Sequence, residues 1–228
     1  VLGSIQPQPI SHQADGSLAL ADIEVNIKPD DPHFARTRLL CLENSIGGKV
    51  LSLDYLDAAT ALARRHGLAC HLDGARIFNA ALIHAGDGGD PYAAARAMAG
   101  RFDSVSVCFS KGLGAPVGSA LCGSKELIAR ALRWRKMLGG GMRQAGMLAA
   151  AADHALTHHV SRLAQDHALA QQLAAGLAGL PGLRVEAPQT NMVFVNIAPE
   201  QAAALQTHLQ AAGVLLTGLY QLRMVTHL

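Results

Sequence analysis

The sequence predicts an α/β fold in which a mostly parallel sheet is flanked by helices and followed by a small α+β domain. Two features predict it. From about position 38 onward, short apolar runs of strand character alternate with longer runs of helical periodicity, the pattern that builds parallel sheets. Near Leu180-Pro181-Gly182 the pattern changes to short strands around a turn, followed by one helix.

Arg38-Leu39-Leu40-Cys41-Leu42-Glu43 reads as a buried strand. Helical periodicity from Leu53 to His66 stops at Gly67, and Leu68 to Asp73 is the next strand, which completes one strand-helix-strand unit. Helices over Ala75 to His84 and Pro91 to Ala99 lead to the strand Ser104 to Phe109 and a neighbour, Ser119 to Cys122. A helix from Lys125 to about Met137 precedes Gly139-Gly140-Gly141. Beyond it, an Ala- and Leu-rich stretch from about Arg143 to Leu177 predicts a long helix with one or two breaks. Short strands at Leu183 to Glu186 and Met192 to Ile197, a helix over Pro199 to Ala212 and a last strand at Leu222 to Thr226 complete the chain. The predicted division is a large domain over 1–150, a bridging helix over 151–180 and a small domain over 181–228.

With 228 residues, 50% hydrophobic and 16% charged, the chain can bury a sizeable core. A formal net charge of +2 and scattered Lys and Arg argue against a nucleic-acid surface or a polybasic membrane anchor, and favour a small, weakly charged substrate. The apolar runs are interrupted by charge too soon to span a membrane, and no basic head with an apolar stretch marks a signal peptide. A cytoplasmic protein is the expectation. Cys41, Cys70, Cys108 and Cys122 lie far apart in strand-like runs without C-x-x-C spacing, so buried free thiols are expected rather than disulfides or a metal site.

Ligands of open parallel sheets collect beyond the carboxyl ends of the strands. Glu43 with Asn44, Asp73, and Ser110 with Lys111 all fall at such ends, and the spacing from Asp73 to Lys111 admits a helical crossover. A lysine amine and a carboxylate are what pyridoxal phosphate requires, the first to hold its aldehyde and the second to keep its pyridine nitrogen protonated. A surface lysine and a helix N-cap aspartate account for the same spacing.

The residues around these two positions resemble the threonine aldolases. His71-Leu72-Asp73-Gly74-Ala75-Arg76-Ile77-Phe78-Asn79-Ala80 is similar to that family's aspartate motif. Phe109-Ser110-Lys111-Gly112-Leu113-Gly114-Ala115-Pro116-Val117-Gly118-Ser119 is similar to its Schiff-base motif. Arg133 to Gln144 and Leu222 to Leu228 resemble the family as well, so the likeness runs end to end. It implies the aspartate-aminotransferase fold, pyridoxal 5'-phosphate as cofactor, no metal, and a homo-oligomer, usually a tetramer. The implied reaction is the cleavage of L-threonine, L-allo-threonine and other β-hydroxy-α-amino acids to glycine and an aldehyde. Another lyase of the same fold, or a catalytically silent fragment of an aldolase, are the alternatives.

By this resemblance Lys111 forms the Schiff base and Asp73 pairs with the pyridine nitrogen. Arg76 lies beside the cofactor's phenolate or the substrate carboxylate, and Arg223 clamps that carboxylate with its planar fork. Ser110 would donate a hydroxyl hydrogen bond to the cofactor's phosphate, although a strand-end turn explains it equally. Arg143, after three glycines at an expected helix start, would help bind that phosphate, in the family sometimes from a neighbouring subunit. His33, in Pro32-His33-Phe34-Ala35-Arg36-Thr37, matches a family histidine near the substrate hydroxyl and would pass its proton. Lys136 has a minor role at most, because Arg130, Arg133 and Lys136 read as a solvated basic face. His154 and His158, at i,i+4 spacing without an H-E-x-x-H motif, read as a polar helix face.

The chain also departs from the family pattern. Ile46 stands where the family has a histidine after Glu-Asn-Thr, and Gly86-Asp87-Gly88-Gly89-Asp90 is a loop insertion. Val1 falls in a segment resembling the middle of the family's cofactor domain, so the large domain is expected to be incomplete at its N-terminal side. The phosphate cradle and ring-stacking histidine that the family places there are absent from these residues.

Overall fold

The computed structural model describes residues 3–227. Their elements, in chain order, are α1 (Leu20–Asn26), β1 (Leu39–Glu43), α2 (Leu53–Arg65), β2 (Ala69–Asp73), α3 (Ile77–Ala85), α4 (Pro91–Ala99), β3 (Ser104–Cys108), β4 (Ser119–Gly123) and α5 (Lys125–Met137). There follow α6 (Gly146–His158), α7 (Leu163–Leu177), β5 (Leu183–Val185), β6 (Met192–Ile197), α8 (Pro199–Ala211) and β7 (Gln221–Val225). Local chemistry sets several boundaries. Ser52 and Ser124 cap α2 and α5 through backbone N–H bonds from Tyr55 and Leu127, and Asp90 with Pro91 opens α4. Gly67 ends α2 at φ +69°, a conformation that a Cβ would disfavour.

The fold is α/β. Strands β1, β2 and β3 pair in parallel in that order, and β4 adds antiparallel to β3. Leu40, Leu42, Cys70, Leu72 and Val105 point to one face and close a core with Leu56, Leu62, Ile77 and Met98 from α2, α3 and α4. The alternate residues turn the other way, and Leu39 is 49% exposed. This alternation corrects the expectation of buried thiols. Cys70 is buried with the core, Cys108 is half-buried, and Cys41 and Cys122 are exposed, all four being free.

The second sheet, β5-β6-β7, is antiparallel, and its core joins Val193, Val195, Ile197 and Leu222 to Ala170 and Ala174 of α7 and Ala202 of α8. Between the two sheets the long helix expected from about Arg143 to Leu177 is broken once, into α6 and α7. After His158 the chain turns at Val160, which is fully buried with Leu113, Ala115, Ala155 and Leu163, and α7 starts at Leu163. Tertiary burial of a β-branched residue wins there over the helix propensity of the surrounding alanines. α1, which the sequence pattern did not predict, packs Ile23 into the first core. Among the described residues, no helix is long and apolar enough to cross a membrane.

Candidate active site

Parallel pairing puts Glu43 of β1 beside Asp73 of β2 and Asp73 beside Ser106 of β3. The three strands therefore end on one side of the sheet. The Asn44 N–H donates to the Asp73 carbonyl at 3.0 Å as the first strand leaves the sheet. Asp73 Oδ1 accepts from the Ala75 N–H at 3.0 Å and lies 3.5 Å from Ser106 Oγ, while Oδ2 accepts nothing among the described residues. Gly74 is required here, because a Cβ would stand 2.9 Å from the Ser106 carbonyl oxygen. That close passage turns the chain into α3, whose N-cap is Arg76.

Lys111 lies three residues past β3, in a turn closed by three backbone bonds. The Gly114 N–H donates to the Lys111 carbonyl at 2.8 Å, the Ala115 N–H to the Phe109 carbonyl at 2.9 Å, and the Phe109 N–H to the Gly118 carbonyl at 2.9 Å. Gly114 adopts φ +72°, and a Cβ on Gly112 would stand 2.8 Å from Leu163 Cδ2. The turn thus needs its glycines, one for conformation and one for closeness.

Electrostatics place these groups in one neighbourhood. Burial and the neighbouring Asp73 push the Glu43 carboxyl up from its ordinary range, and Arg76, Lys111 and His12 draw it back. Glu43 thus senses a second acid and at least two cations. No ion pair among the described residues links Lys111 to Asp73 or Glu43, so the amine is not committed to a carboxylate. Burial lowers the pKa of His71, one strand position before Leu72, against the pull of Asp73.

Arg223 comes from the other sheet. It stands opposite Phe194 in the β6–β7 register, so the two side chains share a face. The Phe194 ring lies 4.0 Å from where a Cβ on Gly47 would be, which turns that face toward the loop following Glu43. Thr190 Oγ1 donates to the Gly48 carbonyl at 2.8 Å, and the Val50 N–H donates to Gln189 Oε1 at 2.7 Å, so this loop and the small sheet are tied together.

The other sequence-derived candidates are placed less centrally. Ser110 is exposed beside Lys111, with its hydroxyl 3.4 Å from Cys108 Sγ. Arg143 is exposed in the stretch before α6, which starts at Gly146 rather than at Arg143. His33 sits on an exposed loop, its side chain 85% exposed and its Nδ1 2.7 Å from Asp31 Oδ1. No described hydrogen bond or ion pair joins His33 or Arg143 to the strand-end cluster. The His154 and His158 rings lie 4.4 Å apart between centroids, tilted by 44°, and no metal-binding group of three or more His, Cys, Asp or Glu occurs among the described residues.

Sequence reasoning flagged Glu43 only as a strand end and did not single out His12 or Asn79. Asn79, within the aspartate motif, is buried and donates through Nδ2 to His167 Nε2 at 3.1 Å and to Asn191 Oδ1 at 3.2 Å. The signal available in the sequence was a lone Asn within the apolar run Ile77-Phe78-Asn79-Ala80-Ala81-Leu82 of an expected helix.

The profile of the beta-eliminating lyase family matches residues 1–200. Over 228 residues, the chain is 49% identical to the low specificity L-threonine aldolase of Escherichia coli (strain K12), covering 100% of this chain and 66% of that relative. It is 41% identical over 239 residues to the probable low-specificity L-threonine aldolase 2 of Arabidopsis thaliana, covering 99% and 65%. The chain therefore spans just under two-thirds of the length of these relatives. A crystal structure of a putative L-allo-threonine aldolase from Listeria monocytogenes EGD-E superposes with a TM-score of 0.76 at 23% identity, covering 99% of this chain and 63% of that one. At that identity the structural likeness speaks for the fold.

Proposed function

The chain belongs to the beta-eliminating lyase family, and from that premise we propose that it uses pyridoxal 5'-phosphate to cleave L-threonine and L-allo-threonine to glycine and acetaldehyde. The observation that carries the reading is the convergence of Asp73, Arg76 and Lys111 around Glu43 at the carboxyl ends of parallel strands.

The residues fit that cofactor by their chemistry. Among the described residues, Lys111 offers an amine without a carboxylate partner and Asp73 an oxygen that accepts no hydrogen bond, and Ser110 offers a hydroxyl for a phosphate. Lys111 would hold the cofactor through its aldehyde, and Asp73 Oδ2 would hold the pyridine nitrogen. Arg143, on its exposed stretch, would join Ser110 at the phosphate, from this or a neighbouring subunit. Bound there, the cofactor supplies a sink for the electron pair left at Cα when the Cα–Cβ bond breaks.

The chain's own part is orientation and proton transfer. Arg223 would grip the substrate carboxylate bidentately, with Arg76 beside it. One cation from the start of α3 and one from β7 would thus fix the Cα–Cβ bond. His33, steadied by Asp31, would take the hydroxyl proton as the carbonyl of the leaving aldehyde forms. The same reading includes a cytoplasmic site of action and a homo-oligomer, as the resemblance implies a tetramer. A surface supports association: α5 buries none of its residues, and Met137, Leu138, Met142 and Met147 are 59%, 67%, 71% and 85% exposed.

Product analysis tests the proposal. Protein supplied with pyridoxal phosphate and L-threonine should release glycine and acetaldehyde in equal amounts, and Lys111→Ala should release neither. The family's name favours β-elimination as a second reading, which would give ammonia and 2-oxobutanoate. Either those products, or no product above the Lys111→Ala background, would defeat the aldolase reading.

A further inference from the structure

Beside Gly112, Leu113 and Gly114, the Lys111 turn meets a set of polar side chains that the reaction as described does not use. The carbonyls of Gly112 and Leu113 take no part in the turn's own bonds described above. Leu113 O accepts from His159 Nδ1 at 2.7 Å, which fixes the proton of that ring on Nδ1, and Gly112 O accepts from Arg162 Nη2 at 3.4 Å. The His227 imidazole covers Gly114, its Cε1 and Nε2 lying 3.5 and 3.6 Å from where a Cβ would be, with Arg162 Nη2 at 3.7 Å from the same point.

Behind His227 stands Asp166, in the first turn of α7. Its side chain is fully buried, and neither carboxylate oxygen has a hydrogen-bond partner among the described residues. Its Oδ2 lies 3.7 Å from His227 Nδ1. Burying a carboxylate is costly unless a positive group or helix N-terminus compensates it, so a carboxylate this deep has a specific task or a specific partner. Its backbone is tied in the same direction: Thr226 Oγ1 donates to the Asp166 carbonyl at 2.5 Å, and the Thr226 N–H donates to the Asn191 carbonyl at 3.0 Å. Thr226 and His227 directly follow β7, the strand that carries Arg223.

We propose that Asp166, His227 and Arg162 form a positioning unit that fixes the Lys111 turn relative to the end of β7, and so fixes the lysine amine relative to Arg223. The proposal rests on the cofactor reading above. None of the three is a catalytic residue; they act through the backbone of the turn. Asp166 holds the His227 ring over Gly114, and Arg162 with His159 holds the two carbonyls that follow Lys111. The lysine is then presented by a turn braced from behind rather than by a flexible loop.

The test uses Asp166→Asn, His227→Gln and the double variant in the full chain, each compared with the unaltered protein for melting temperature. Cofactor-free protein is mixed with pyridoxal phosphate, and the rate at which borohydride can trap the cofactor on Lys111 is followed, alongside kcat and KM for L-threonine. Each single variant should slow trapping and lower kcat by about tenfold, as expected for a reacting group displaced by a fraction of an ångström, with KM changed less than about twofold. The double variant should be no worse than the worse single one, because the two residues act as one unit. Unchanged trapping and kcat in variants of native melting temperature would overturn the proposal, and so would losses that multiply in the double variant. Should Asp166→Asn not fold, His227→Gln, at a side chain 43% exposed, carries the test alone. Absence of trapping in the unaltered protein would instead refute the cofactor reading on which the unit depends.

Discussion

The two sides of the Lys111 turn are built on opposite principles. On the strand-end side Asp73 is exposed and Glu43, Arg76 and Lys111 are only half-buried, with charges close enough to shift Glu43 but not locked into ion pairs. On the other side Leu113, Ala115, Val160 and Leu163 are buried, and polar contacts end on backbone carbonyls. The difference separates two jobs that one side chain cannot do at once. A lysine that must exchange partners needs an uncommitted amine, whereas its backbone needs fixed surroundings so that the amine returns to the same place.

Substitutions on the two sides should therefore fail in different ways. On the open side, Asp73→Asn removes the charge proposed to face the pyridine nitrogen. We expect glycine formation from L-threonine to fall on the order of 10³-fold, about 4 kcal/mol of barrier, with the melting temperature unchanged. A parallel loss of melting temperature would show that the aspartate serves the fold instead. On the packed side, Leu163→Ala opens a cavity under Gly112. It should destabilise the protein by about 3 kcal/mol in denaturant unfolding, and an effect under about 1 kcal/mol would mean that this side is not the tight support described.

Acid distinguishes the sides again. Burial lowers the pKa of His167, whose Nε2 accepts from Asn79, and of His71, against the pull of the neighbouring Asp166 and Asp73. The unfolded chain takes up these protons at about pH 6.5 while the folded chain resists them. Stability should thus decline as pH falls through that value, and His167→Gln should flatten the decline in melting curves taken between pH 7.5 and 5. A decline equally steep in the variant would remove His167 from the account. Glu43 has the opposite sign for an acid with a raised pKa: its folded form prefers the proton, so ionisation above the ordinary carboxylate range costs stability. Glu43→Gln in cofactor-free protein should raise the melting temperature slightly at pH 7, the gain vanishing near pH 4. A lowered melting temperature at pH 7 would contradict that sign.

How much of this was legible in the sequence follows from the range of the forces involved. The strand ends at Glu43, Asp73 and Lys111 could be read because apolar runs and flanking polar residues are local signals, and α4, α5 and β6 have their expected limits. The bracing side could not. Arg162, Asp166 and His227 are ordinary polar residues in sequence, joined only when α7 and the end of β7 meet the turn. A break in the long Ala- and Leu-rich stretch was expected, but its position was not, since nothing in His158-His159-Val160 announces that Val160 will be buried against Leu113. The exposed Cys41 and Cys122 show the converse limit. A continuous apolar run marks a strand, but only neighbouring layers decide whether both of its faces are covered.

The central claim is that Lys111 alone of the five lysines presents an amine able to take the cofactor. Borohydride reduction after addition of pyridoxal phosphate, followed by peptide mapping, tests it directly. The account predicts a pyridoxyl group on Lys111 and none on Lys28, Lys49, Lys125 or Lys136. Label spread over those four, or absent from Lys111, would contradict it.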